Sequence, residues 1–132
     1  MIKPDAFSNL GHIVQAIEED GFLIASLKMT QFTRNQAETF YAEHRGKPFF
    51  EGLIQFMTSG PVIGLELVQE NAIRRWRALL GPTNTQTAKE QAPNSLRARF
   101  GTNGTKNACH GSDSSKYQLK FNIFDFINFI NF

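Results

Sequence analysis

Short apolar segments alternate with amphipathic segments along most of this chain, and the alternation limits the folds that it can adopt. Residues 22–32 (FLIASLKMTQF) and 61–68 (PVIGLELV) have the apolar content and the length of strands. The opening MIK looks like the end of another strand, and a fourth short strand is predicted at NACHGSDS, residues 107–114. Apolar side chains recur at helical spacing in four other segments: 9–22, 33–44, 49–60 and 71–81.

The order of these elements predicts the fold class. Strand, helix, strand, helix, helix, strand, helix, strand is typical of an α+β sandwich of ferredoxin-like type, in which helices cover an antiparallel four-stranded sheet. Thr33 is expected to cap the second helix. The chain has 132 residues, of which 41% are hydrophobic, enough for the core of a single domain.

Two segments interrupt the alternation. Residues 82–95 are polar and without periodicity, and their length predicts a functional loop. The C-terminal YQLKFNIFDFINFINF holds five of the thirteen Phe residues, with a polar residue at every third position, which fits neither a helix nor a strand. Either it is an apolar helix docked on the core, or it is foreign to the domain and prone to aggregation through exposed Phe and Ile side chains. We divide the chain into a domain, 1–116, and an atypical tail, 117–132.

Positive charge is concentrated in one part of the chain. Residues 1–70 hold five Lys and Arg against nine Asp and Glu, whereas residues 71–110 hold seven against one. So local a concentration favours a small anionic ligand over a nucleic acid, because the chain lacks an extended basic stripe with interleaved aromatic residues. A single Cys excludes an internal disulfide framework, and no signal peptide or long apolar run is present, so we expect a soluble intracellular protein.

The sequence NACHGSDS places His110 between Cys109 and Gly111. A zinc site is not favoured, because no second Cys or His lies nearby in the sequence to complete a ligand set. A Ser-His-Asp triad is not favoured either, because sequence neighbours rarely form one and no nucleophile elbow is present. Two interpretations remain open from the residues alone: a nucleophile that attacks phosphate near several Arg, and an ordinary turn histidine. His12 and His44 are expected to be surface residues without a special role.

The same motif resembles the active-site signature of nucleoside diphosphate kinases, Asn-x-x-His-Gly-Ser-Asp-Ser. IKPD, KPFFEGLIQFMTSGPV, RALLGPTN and LRARFGT resemble that family too, and they occur in the same order. The resemblance covers roughly residues 1–115. The length of the stretch between residues 83 and 97 is more similar to the nucleoside diphosphate kinase seven group, often found with cilia and centrosomes, than to the short-chain enzymes.

The resemblance implies a role for each matching residue. Phe49 matches the aromatic residue on which the base stacks, with Leu53 as its apolar neighbour, and such stacking tolerates different bases. Lys3 matches the lysine that reaches the sugar and the phosphates, and Asn107 matches the amide that holds the sugar. Three residues match the side chains that grip the phosphates: Arg77, Thr83 and Arg97.

The catalytic group is implied in the same way. His110 matches the histidine that accepts the phosphoryl group, Tyr41 the hydroxyl beside it, and Ser112 the serine that follows it in the active site. The remaining arginines of the region are expected to be solvated surface charges: Arg74, Arg75 and Arg99. The family implies Mg²⁺ bound through the nucleotide phosphates, with no protein ligand, and ATP or another nucleoside triphosphate as donor. Nucleoside diphosphates and triphosphates are the implied partners, and we also expect homo-oligomers and no membrane contact.

The chain departs from the family pattern at three places. The first strand is short, Gly104 replaces a small apolar residue beside the base, and Phe121 stands where the family has a Glu that supports the catalytic His. A lost carboxylate can slow transfer. The alternative function is therefore a weakly active or inactive module that binds partners in a ciliary or centrosomal assembly, with microtubule or centrosomal contacts. The expected location is cytoplasmic, including cilium, axoneme or centrosome.

Overall fold

The computed structural model describes residues 1–111. The predictions that concern Ser112, Phe121 and the tail fall outside these residues. The helices are α1 (Leu10–Glu19), α2 (Arg34–Phe40), α3 (Phe50–Met57), α4 (Ala72–Leu80), α5 (Thr85–Gln91) and α6 (Leu96–Phe100), and the strands are β1 (Leu23–Thr30) and β2 (Val62–Val68). Short 3₁₀ segments are Pro4–Asn9 and Ala42–His44. None of the helices in this part of the chain is long and apolar enough to cross a membrane.

The two strands form an antiparallel ladder. Leu23 lies opposite Val68 and Thr30 opposite Val62, and the register shifts between Ile24 and Ser26, where β1 has a bulge. Within the described residues β2 is the strand that pairs with β1, so β1 forms an edge of the sheet.

Two single-residue bridges extend the sheet on the other side of β2. Ile2 bridges Ile63 on one side and Cys109 on the other, both in antiparallel sense. The resulting order is the Cys109 segment, the Ile2 segment, β2 and β1. This arrangement confirms the predicted α+β class with an antiparallel sheet. The first and the last of the four predicted strands are reduced to one bridging residue each, because Pro4 begins a 3₁₀ segment directly after Lys3 and a tight turn leads into Cys109.

Two buried clusters lie on opposite faces of this sheet. Met1 and Val62 belong to the cluster that contains α2 and α3, whereas their neighbours Ile2 and Ile63 belong to the cluster that contains α1 and α4. Successive residues of an extended chain point to opposite faces, so the sheet separates the two clusters. In the segment that leads to His110, Ala108 and Cys109 are fully buried and belong to the cluster that contains α1 and α4.

The caps of two helices follow from the sequence. The Thr33 hydroxyl accepts the N–H of Gln36, and the Gln36 side chain accepts the N–H of Thr33, which is a complete capping box and confirms the predicted cap. At α5 the Asn84 side chain accepts the N–H of Thr87 over 3.1 Å.

The prediction of a loop over residues 82–95 is wrong, because this stretch contains α5. Apolar periodicity is absent, but Asn84 caps the helix, and the small side chains of Thr85 and Ala88 are its buried contacts. The Thr85 hydroxyl donates to the carbonyl of Asn103, which satisfies the buried polar group. A helix that buries Thr and Ala needs no large apolar side chains.

Candidate active site

A cleft of ≈610 Å³ opens beside the segment that leads to His110. Its walls come from the chain before Pro4, the end of α2, the start of α3, the last turn of α4, α6 and the loop before Gly111. All of the predicted site residues that the structure describes line this cleft: Lys3, Tyr41, Phe49, Leu53, Arg77, Thr83, Arg97, Asn107 and His110. Folding therefore brings together residues that are spread over most of the sequence.

The backbone of His110 is held on one side and its ring is packed on another. Its N–H donates to the carbonyl of Met1 over 2.9 Å. The imidazole meets the ring of Phe40 edge-on, with 6.0 Å between the centroids. Burial is the main cause that lowers the pKa of His110 to about 3, and the positive charges of Lys3 and Arg97 add to it. The imidazole is therefore neutral near pH 7, which is the protonation state a nucleophile requires.

Gly111 is required by its neighbours. A Cβ atom at this position would lie 2.5 Å from two atoms of the Trp76 ring and 3.1 Å from a methyl group of Leu80. These side chains belong to the buried face of α4 and have little room to move. The glycine of the His-Gly pair thus lets the backbone at position 111 pack closely against α4.

Arg97 joins two walls of the cleft. Its Nη1 donates to the carbonyl of Gly81 over 2.9 Å and lies 3.4 Å from the hydroxyl of Thr83. Its Nη2 donates to the carbonyl of Cys109 over 3.2 Å. Arg77, in the last turn of α4, lines the same cleft. Two guanidinium groups beside a neutral imidazole form a site suited to phosphate oxygens.

Lys3 and Asn107 form a buried polar pair. Lys3 Nζ donates to Asn107 Oδ1 over 2.8 Å and to the carbonyl of Thr105 over 3.1 Å. The Asn107 amide donates in turn to the carbonyls of Thr83 and Gly104. Burial lowers the pKa of Lys3 to about 8, with Asp5 opposing the shift and Arg97 adding to it. The ammonium is thus charged at neutral pH, but close to losing its proton.

A partly exposed aromatic ring stands on one wall of the cleft. Phe49 is 49% exposed, although it precedes a helix whose other apolar residues are largely buried. Leu53, one turn along α3, is buried and also lines the cleft. Gly104 lines the cleft as well, and a Cβ there would meet no atom within 4 Å. The cleft thus offers a flat apolar surface and open space for a planar group.

His44, which is expected to be a surface residue without a special role, also lines the cleft. Its ring stacks on Tyr41 with 6.1 Å between centroids and meets Phe49 edge-on at 5.5 Å. Tyr41 and His44 are three residues apart in a helical stretch, a spacing that places two side chains side by side. This spacing is the sequence signal that indicates a position of His44 beside Tyr41. His12 lies outside the cleft and stacks on Phe100.

Tyr41 presents a buried hydroxyl to this site. The side chain is 5% exposed, and its hydroxyl has no hydrogen-bond partner among the described residues. Burial raises the pKa of Tyr41, so the hydroxyl keeps its proton at neutral pH. A buried donor of this kind can be satisfied by a polar atom of a ligand.

The remaining arginines of the basic region lie elsewhere. Arg75 pairs with Asp20 at 3.4 Å, and Arg74 and Arg75 line a separate surface depression. The Arg99 guanidinium lies over the ring of Phe100. Residues 1–111 contain no group of three His, Cys, Asp or Glu side chains placed to hold a metal ion.

Comparison with known proteins gives consistent results. The family model described as nucleoside diphosphate kinase matches residues 1–125. Nucleoside diphosphate kinase homolog 7 of Rattus norvegicus is 48% identical over 114 residues, which cover 86% of this chain. The chain spans only 29% of that relative's length. The nucleoside diphosphate kinase of Aquifex aeolicus is 46% identical over 126 residues, which cover 92% of this chain and 89% of the relative.

Solved structures agree with these relatives. A crystal form of the Aquifex aeolicus nucleoside diphosphate kinase matches with a TM-score of 0.87 and 46% identity, over 96% of this chain and 89% of that one. A halophilic nucleoside diphosphate kinase from Halobacterium salinarum, in complex with CDP, matches with a TM-score of 0.82 and 34% identity, over 93% and 82% of the two chains. The similarity thus extends to both sequence and fold.

Proposed function

We propose that this chain, which belongs to the nucleoside diphosphate kinase family, transfers the terminal phosphate of a nucleoside triphosphate to a nucleoside diphosphate through a phosphohistidine at His110. The observation that carries the proposal is the position of a neutral imidazole in one cleft with Arg77, Arg97 and Lys3. A neutral nucleophile and several cations are what an attack on a terminal phosphate requires.

The chemistry has two symmetric halves. A ring nitrogen of His110 attacks the terminal phosphorus in line, the N–P bond forms, and the bond to the bridging oxygen breaks, leaving a nucleoside diphosphate. A second nucleoside diphosphate then attacks the phosphohistidine with its terminal oxygen, and His110 returns to its neutral form. Arg77 and Arg97 offset the negative charge of the transferring group in both halves. Mg²⁺ enters with the nucleotide phosphates, as part of the substrate.

The binding surface supports a broad nucleotide range. Phe49 provides a ring on which any base can stack, because every base has a π face. Lys3 and Asn107 lie where the sugar and phosphates would follow. One pocket therefore serves donor and acceptor in turn, which predicts ping-pong kinetics.

Labelling tests the proposal directly. The purified chain is mixed with γ-³²P-ATP and Mg²⁺, and we expect acid-labile label on the protein that a nucleoside diphosphate then removes. His110→Ala should abolish the label. The matched control is His12→Ala, which removes an imidazole outside the cleft and should leave labelling unchanged. Equal labelling of the wild type and His110→Ala would contradict the assignment.

The alternative of a weakly active or inactive binding module depends on Phe121, which lies outside the described residues. All of the described candidate residues line the cleft, and this favours phosphoryl transfer. From the resemblance to the nucleoside diphosphate kinase seven group, we further propose that the protein is found at cilia or centrosomes with microtubule or centrosomal partners. Imaging of the tagged protein in ciliated cells tests that placement.

Self-association is supported by the edge of the sheet. Leu23, Leu27 and Met29 of β1 are exposed to 64%, 44% and 60%, next to Val68 of β2 at 50%. An edge strand with exposed apolar side chains favours pairing with another chain. We therefore propose a homo-oligomer that uses this surface. Light scattering on Leu27→Lys should report a smaller species than on the wild type, and an unchanged mass would contradict the proposal.

A further inference from the structure

The backbone makes a rare turn two residues before His110. Ala108 has a φ of 67°, in the left-handed region, and it is fully buried. The N–H of Cys109 donates to the carbonyl of Asn107 over 2.8 Å, so these three residues form a γ-turn of the positive-φ type. Such a turn is strained at any residue other than Gly and persists only where its surroundings hold it.

Asp5 supplies one of the bonds that hold this turn. The N–H of Ala108 donates to Asp5 Oδ2 over 3.0 Å. On the other side, the carbonyl of Ala108 accepts the N–H of Lys3 over 2.8 Å. The central peptide groups of the turn are therefore tied to the chain that begins the 3₁₀ segment. Without the carboxylate, a buried N–H would have no acceptor, which disfavours this conformation further.

The turn separates two groups of the cleft. Asn107 is the first residue of the turn and holds Lys3, and His110 directly follows its last residue, Cys109, which bridges Ile2. A change in the φ of Ala108 would alter the direction of the chain between the amide of Asn107 and the imidazole of His110. A displacement of about 1 Å at a reacting group is enough to slow a reaction about a hundredfold.

The other interactions of the carboxylate are a hydrogen bond from its own backbone N–H and the positive charges of Lys3 and Lys106. Asp5 Oδ1 is buried and has no hydrogen-bond partner among the described residues. Burial raises the pKa of Asp5, against the opposing effects of the Ala108 N–H and the positive charge of Lys3. Burial therefore disfavours the charged form of Asp5. The hydrogen bond from the Ala108 N–H is the contact through which the side chain acts on the backbone before His110.

We propose that Asp5 is a positioning residue, which aims His110 into the cleft by holding the strained γ-turn at Ala108. The proposal rests on the proposed function for its kinetic consequences. It assigns to Asp5 no contact with the nucleotide. The turn, rather than the charge, is the element through which Asp5 acts.

The test combines Asp5→Ala with Ala108→Gly, because glycine adopts a positive φ without strain. We expect Asp5→Ala to lower kcat by about tenfold to a hundredfold, with KM for nucleotides within about twofold. Ala108→Gly alone should be close to wild type, and in the double variant it should recover most of the lost kcat. Asp5→Asn keeps an oxygen that can accept the Ala108 N–H, so it should keep most of the activity. A double variant no faster than Asp5→Ala, or one too unstable to purify, overturns the proposal.

Thermal unfolding gives an independent readout. Asp5→Ala should lower the unfolding midpoint by about 4–8 °C in the wild-type background and by clearly less in the Ala108→Gly background. The matched control is Asp20→Ala, which removes a carboxylate paired with Arg75 away from the cleft and should show the same shift in both backgrounds. If the wild type takes up no phosphate from ATP, the proposed function fails and the unfolding data alone decide. Equal shifts for Asp5→Ala in the two backgrounds then overturn the positioning role.

Discussion

The Nζ atom of Lys3 donates to Oδ1 of Asn107 over 2.8 Å, although 104 positions separate the two residues. The contact is buried, and a buried ammonium is favourable only when acceptors surround it. Here Asn107 and the carbonyl of Thr105 provide them. Burial nevertheless lowers the pKa of Lys3 to about 8, so its charge is sensitive to mildly alkaline conditions.

Nucleotide turnover should respond to that charge. In the free enzyme Lys3 loses its proton as the pH rises through about 8, so we expect kcat/KM of the wild type to fall above this pH. Lys3→Met should lower kcat/KM by about tenfold to a hundredfold at pH 7, because a charged hydrogen-bond donor is lost, and should lack the alkaline decline. Lys89→Met, on the exposed part of α5, is the control and should keep it. The same decline in Lys3→Met would show that another group titrates.

His110 should make the fold sensitive to acid. Its native pKa is lowered to about 3, whereas an unfolded His titrates near 6.5, so between these values the unfolded state binds a proton that the native state does not. The free energy of unfolding should therefore decrease as the pH is lowered through this window, by at most roughly 1.4 kcal/mol per pH unit from this group. Urea unfolding at pH 7 and pH 4 should show a smaller loss for His110→Gln than for the wild type. His12→Gln should behave as the wild type, and equal losses for His110→Gln and the wild type would contradict the shift.

Phe49 should contribute to the binding of all nucleotides alike. Replacing it by Ala removes a ring on which the base stacks, and each nucleoside diphosphate should bind more weakly by about 1–3 kcal/mol. Phe49→Trp keeps an aromatic surface and should bind close to the wild type. Isothermal titration with ADP, GDP and CDP measures the effect. A loss confined to the purines would rule out a general platform.

Two of the glycines that line the cleft, Gly104 and Gly111, should respond in opposite ways to an added methyl group. At Gly111 a Cβ would collide with the Trp76 ring, so Gly111→Ala should lower the free energy of unfolding by about 1–3 kcal/mol. At Gly104 the same atom meets open space, and Gly104→Ala should stay within about 0.5 kcal/mol of the wild type. Chemical denaturation of the pair distinguishes the two positions. Similar stabilities for both variants would mean that the backbone at Gly111 can move away from α4.

The parts of the fold that depend on apolar periodicity were predictable. Strand β2, Val62–Val68, and helix α4, Ala72–Leu80, carry large apolar side chains at the spacing of their elements, and both were expected. Helix α5 was missed because its buried contacts are Thr85 and Ala88, which give no apolar signal. Residue composition alone therefore indicated a loop where a capped, polar helix lies.

The site was predictable where it depends on residue identity and not where it depends on distant contacts. Resemblance to the family named His110, Arg77 and Arg97, and the structure places all three in one cleft. The position of His44 in the same cleft was not expected, because it depends on how α2 and α3 pack together. The γ-turn at Ala108 was also missed, since its acceptor is 103 positions away at Asp5 and no local preference of Ala suggests a positive φ.

Arg97 has a consequence for how mutations of the site are interpreted. Its guanidinium both faces the cleft and ties the carbonyls of Gly81 and Cys109 together. An alanine substitution therefore removes both the charge and the two hydrogen bonds that connect these carbonyls. The resulting loss of rate is an upper limit on the contribution of the charge to catalysis. Separating the two contributions requires a neutral side chain of the same length, such as citrulline, and the difference between that variant and the wild type measures what the charge does for the transferring phosphate.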